Sequence, residues 1–163
     1  MNRSHRRLLL PFAALLALIL WVGLASRPDS PAPMAAGVAT AHDLSRDEAA
    51  GGHTLARHVA RTDPELARRL ADEPGISTAS TFRDRRTAEE VVAAALARHR
   101  ERIESWSRNG NGNLALDVAM SGAAIGRTMS RSGTVRESRR ARVVLRRSGR
   151  SWFVLTAYPL EER

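Results

Sequence analysis

At residues 109–113 the chain reads NGNGN, and the spacing of its apolar residues changes there. Upstream, Val92, Leu96, His99, Ile103 and Trp106 step by 4, 3, 4 and 3 along one side of a long helix. Thr87 and Glu90 have the spacing of a capping box at its start. Downstream the period drops to two: Leu114, Leu116, Val118 and Met120 alternate with smaller or polar residues. ARVVLRR and SWFVLTAY come next, joined through SGR around Gly149 as a hairpin would be. The Asn/Gly cluster is turn chemistry between the two regimes. Helices first and an antiparallel sheet after them define the α+β class.

Two shorter helices precede the long one. Residues 53–62, HTLARHVART, come after Gly51-Gly52, and a new helix starts with TDPELARRLAD. Pro64 cannot lie inside a helix but suits a first turn. Thr62 or Asp63 can cap that turn, with Glu65 reaching back.

Further upstream, residues 1–25 pair a basic start, MNRSHRR, with an apolar run at 8–25 that carries no charge. This is the pattern of a signal peptide, or of an N-terminal membrane anchor that is kept. Either way the arginines before the run place the rest of the chain outside the cytoplasm. Residues 26–47 begin with a Pro-, Ala- and Gly-rich stretch without periodicity and read as a flexible linker; the folded domain is expected over 48–163. The chain has no cysteine, so a domain exported to where disulfides form must rest on its own core. Removing Arg3, Arg6 and Arg7 with the leader leaves 23 of the 26 basic residues against 17 acids, a net charge of +6. All are arginine, so phosphate met here is met by guanidinium forks. Positive charge favours polyanions, nucleic acid or anionic membrane alike.

No His and acidic residues cluster at metal-ligand spacing, and there is no lysine-bearing phosphate loop or serine elbow, so no metal or cofactor is expected. What remains is a set of proton-transfer and cationic groups. His53 and His58 lie in the first helix with Arg57, Arg61, Arg68 and Arg69 around them. His58 and Arg69 are eleven residues apart, and because Pro64 breaks the helix they meet only if a helix–turn–helix folds back. Strand alternation puts Trp152, Val154, Thr156 and Tyr158 on one face and Phe153, Leu155 and Ala157 on the other. If the first face meets the core, its end carries the hydroxyl of Thr156 and the chain's only phenol to the rim, and Pro159 ends the ladder. Histidine, arginine, threonine and tyrosine at one rim suffice for RNA cleavage through its own 2′-OH. A base takes the 2′-OH proton, a cation holds charge on phosphorus, and an acid protonates the leaving oxygen.

Four blocks occur in order: GGHTLARHVARTDPELARRL, STASTFRDRRTAEEVV, IESW and VVLRRSGRSWFVLTAYP. Together they resemble the bacterial RNase A-like domain found at the C-terminus of CdiA contact-dependent inhibition toxins and other polymorphic toxins. The resemblance spans about residues 48–162. It implies a compact α+β, RNase A-like fold without disulfides, metal-independent RNA cleavage, and a cognate immunity protein. It further implies His58 in proton transfer, Arg69 on the phosphorane charge, Thr156 orienting substrate or phosphate, and Tyr158 in phosphate binding or proton transfer. His53 belongs to the same motif and is expected to support the first turn. No second histidine stands in the closing strand, so His58 serves as base and acid in turn, or Tyr158 is its partner.

The expected function is therefore an exported ribonuclease, a toxin or effector whose partner is RNA (tRNA included), acting as a monomer, with membrane contact only through the leader. The competing readings are a non-catalytic arginine-rich module that binds nucleic acid or anionic envelope polymers, and a membrane-tethered interaction domain.

Overall fold

The computed structural model describes residues 42–162, so the expected leader and most of the expected linker lie outside the described residues. Helical structure is present ahead of residue 48, within the stretch expected as linker. Helix α1 (Leu44–Ala49) is capped by Asp43, whose side chain accepts from Ser45 N, and Leu44 is fully buried. α2 (Thr54–His58) and α3 (Asp63–Asp72) come next along the chain. The cap on α3 is the expected one: Glu65 Oε2 accepts from Thr62 N at 2.7 Å, with Pro64 in the first turn.

Strand β1 (Thr78–Phe82) lies inside the half that reads as helical. α4 (Arg85–Arg98) and α5 (Arg100–Asn109) occupy the region expected as one long helix. Its cap is not Thr87. Asp84 accepts from Thr87 N at 2.7 Å, while Glu90 pairs with Arg86 instead of reaching back. The helix breaks at His99 (φ −109°, ψ 22°), whose Nε2 donates to Asp117 O at 3.0 Å. The sequence step through His99 was thus right about the face and wrong about continuity. Ile103 and Trp106 still reach the core.

The remaining strands are β2 (Leu114–Ala119), β3 (Gly126–Ser130), β4 (Val135–Ser138), β5 (Arg140–Ser148) and β6 (Ser151–Pro159). They form two antiparallel sheets, ordered β1-β3-β4 and β2-β5-β6. The expected hairpin is β5–β6, with Gly149 at φ 62° in its turn. β2 buries its alternate residues Leu114, Leu116 and Val118. Those side chains, with Val143, Leu145, Val154 and Ala157, pack under Ala88, Val91, Val92 and Ala95 of α4 as the main core. Each fully buried Leu or Val contributes roughly 1.5–3 kcal/mol, which is how the fold stands without disulfides. A smaller cluster of Leu66, Leu70, Ala79 and Met129 holds α3 against the first sheet. The class is α+β, as the sequence implies.

β6 is an edge strand of its sheet, and α1 and α2 cover that edge. Asp47 Oδ1 accepts from Val154 N at 2.7 Å, Leu155 O accepts from His53 N at 2.9 Å, and Thr54 Oγ1 accepts from Ala157 N at 2.8 Å. The approach is so close that a Cβ on Gly52 would sit 2.6 Å from Val154 O. Among the described residues no helix is long and apolar enough to cross a membrane.

Candidate active site

The link between α2 and α3 decides whether His58 and Arg69 can meet. Immediately after His58, Val59 bridges to Phe82 of β1, and Ala60 N donates to Phe82 O at 3.0 Å. Ala60 then takes φ 54°, a left-handed conformation that is costly for a residue with a Cβ, and reverses the chain. Arg61 N donates to Thr81 Oγ1 at 2.9 Å on the far side of the turn. α3 therefore runs back past α2, and Arg69 Nη1 comes within 3.4 Å of His58 Nδ1.

His58 is 6% exposed, and burial followed by the positive charge of Arg69 lowers its pKa from 6.5 to about 3. It is neutral at pH 7, so its tautomer matters. Two groups approach Nδ1: the carbonyl of Ser80 at 3.2 Å and the Arg69 guanidinium at 3.4 Å. A carbonyl needs a proton on that nitrogen, whereas a guanidinium needs a lone pair. A proton on Nδ1 satisfies the Ser80 carbonyl, and in that tautomer Arg69 acts on the ring through charge. In that tautomer Nε2 carries the lone pair, and it makes no hydrogen bond among the described residues.

Thr156 and Tyr158 reach this ring because β6 is irregular. Val144 faces Thr156, yet Leu145 faces Val154, so Leu155 is an extra residue in the strand. The bulge reverses the alternation. Val154 and Ala157 both enter the core, and Thr156 and Tyr158 turn to the opposite face, beside α2. The expected face of Trp152, Val154, Thr156 and Tyr158 is therefore split in two, although its last two members stay together. Tyr158 lies 5.4 Å from His58 between ring centroids, with planes tilted by 30°. Thr156 is 9% exposed, and its Oγ1 is buried without a hydrogen-bond partner among the described residues.

These groups line one cleft of about 500 Å³ between α2, α3, β1 and β6. The model of the bacterial CdiA-CT RNase A domain family matches residues 52–159. The chain belongs to that family. A crystal structure of a CdiA-CT/CdiI complex from Y. kristensenii is similar in sequence and fold. Identity is 32%, the TM-score is 0.61, and the match covers 68% of this chain and 100% of that one. No curated protein matches the chain at a significant level.

In this CdiA-CT RNase A domain the structure thus brings His58, Arg69, Thr156 and Tyr158 together. His53 also lines the cleft. Its backbone holds the bulge carbonyl, and burial, then the charge of Arg57, lowers its pKa. Sequence reasoning named Arg57 only as a cation near the two histidines and passed over Glu73. Arg57, adjacent to His58, and Glu73, four residues beyond Arg69, both border the cleft and are ion-paired to one another. The i,i+4 spacing of Arg69 and Glu73 was the available signal. Beyond Tyr158 a second cleft of about 350 Å³ holds Asp117 and Arg142, paired at 2.6 and 2.8 Å, but neither His58 nor Arg69. Among the described residues no three His, Cys, Asp or Glu side chains gather as a metal site would require.

Proposed function

We propose that this chain is an exported ribonuclease toxin or effector that cleaves RNA, tRNA included, by transphosphorylation without a metal ion. The observation that carries the reading is the buried His58 imidazole beside the Arg69 guanidinium and the Tyr158 phenol in one cleft. In the proposed step His58 Nε2 takes the 2′-OH proton and the 2′ oxygen attacks phosphorus. The P–O5′ bond breaks, and the Tyr158 hydroxyl protonates the leaving 5′ oxygen. The proton held by His58 then returns to the tyrosinate, restoring both groups. Arg69 sits against the non-bridging oxygens as charge builds, and the unpaired Thr156 hydroxyl hydrogen-bonds one of them. A bound phosphate beside His58 also opposes the Arg69 charge, raising its basicity when the base is needed.

The leader supports export, and the family supports a toxin. The CdiI bound in the Y. kristensenii complex supports an immunity protein as this chain's partner too. The test is incubation of the purified chain with tRNA and total RNA in EDTA, beside His58→Ala and Arg69→Ala. Cleavage by wild type alone is expected. Intact RNA with the wild-type protein removes the enzyme reading, and full activity in His58→Ala removes the assigned base.

A further inference from the structure

Glu73 is not part of the proton-transfer chemistry, yet it lies at the centre of the cleft's positive charge. One carboxylate oxygen, Oε1, accepts from Arg57 Nη2 and also from Arg69 Nε at 3.3 Å. The two guanidiniums come from different helices, α2 and α3, and both face the His58 cleft. Glu73 itself caps α3, its N–H bonded to Arg69 O at 2.9 Å, so its backbone is fixed while its side chain is about one-third exposed. Two guanidiniums converging on a single oxygen is also how a phosphate oxygen is held.

We propose that Glu73 is the resident anion of the phosphate site, and that the scissile phosphate displaces its carboxylate from Arg57 and Arg69. Arg57 then becomes a second phosphate-binding guanidinium. This rests on the nuclease reading above for the identity of the displacing group, but the anion exchange can be measured without cleavage. In the free protein Glu73 keeps two close cations from repelling each other; in the complex its negative charge opposes substrate. The cleft is thereby tuned toward weaker binding and easier release of the anionic product.

The sign of one substitution decides the matter. Inorganic phosphate is titrated by calorimetry into the full chain and into its Glu73→Gln and Arg57→Gln variants, and KM for one RNA is measured in parallel. Glu73→Gln should tighten phosphate binding by about fivefold, the scale of an exposed ion pair, and KM should fall with it. Arg57→Gln should weaken both. If Glu73 only braces the arginines, Glu73→Gln weakens phosphate binding as Arg57→Gln does, and the proposal is overturned; unchanged affinity overturns it as well. Glu73→Ala must give the same sign as Glu73→Gln, with folding of each checked by circular dichroism. A wild-type chain that leaves RNA intact while Glu73→Gln still tightens phosphate binding sinks the nuclease reading and leaves the anion exchange standing.

Discussion

His58 makes stability depend on pH with a sign and size set by its burial. Its folded pKa is about 3 against 6.5 when solvated. As pH falls below 6.5 the unfolded chain takes up a proton there that the folded chain refuses, so protons pull toward unfolding. The contribution is intact at pH 7, falls through the window from 6.5 to 3, and is fully lost below 3. Between pH 7 and 5 the two values give a loss of about 2 kcal/mol, and by pH 4 about 3 kcal/mol. Total stability of a domain is about 5–15 kcal/mol, so this loss is measurable. Urea unfolding followed by tryptophan fluorescence at pH 7, 6, 5 and 4 gives the curve for wild type and for His58→Gln. Whatever its absolute stability, the variant should lose about 2 kcal/mol less between pH 7 and 5, because groups common to both chains cancel. Parallel curves would refute the buried, neutral imidazole and with it the base assignment.

Other perturbations address single features. Thr156→Val removes a hydroxyl without a hydrogen-bond partner among the described residues, so stability should change by less than about 1 kcal/mol while RNA cleavage falls at least about tenfold; melting and initial rates together check this. Asp47→Ala strips the acceptor from Val154 N beside the bulge and should cost about 2–3 kcal/mol in chemical denaturation. Ala60→Gly relieves the left-handed turn and should stabilise the fold by about 0.5–1 kcal/mol, read as a raised urea midpoint.

The sequence revealed those parts of the structure whose signal is local. The Thr62–Glu65 cap, the β5–β6 hairpin at Gly149 and the alternation of β2 each arise from a few neighbouring residues, and each is present. β1 was not legible because TASTF has no apolar alternation: its hydroxyls at Ser80 and Thr81 are buried, and Thr81 Oγ1 serves as an acceptor for the turn after His58. The break at His99 was hidden because the contact its side chain makes there, to the carbonyl of Asp117, lies on a strand eighteen residues away. The candidate site shows the same division. The residue types and their motifs pointed to His58, Arg69, Thr156 and Tyr158, but two non-local devices make them converge, the reversal at Ala60 and the bulge at Leu155. Neither device has a sequence signature, since alanine rarely adopts positive φ and a leucine bulge looks like any other strand residue. Strict alternation would have set Thr156 and Tyr158 beside Val154; the extra residue instead turned them toward α2.

The chemistry of the cut ends tests the central claim most directly. Full-length protein is incubated with a defined RNA in EDTA, and the fragments are analysed by mass spectrometry. Attack by the 2′ oxygen predicts 2′,3′-cyclic phosphate on the upstream fragment and a free 5′-hydroxyl on the downstream one, with both absent for His58→Ala. Fragments bearing 5′-phosphates, or cyclic ends formed as fast by His58→Ala as by wild type, would contradict it.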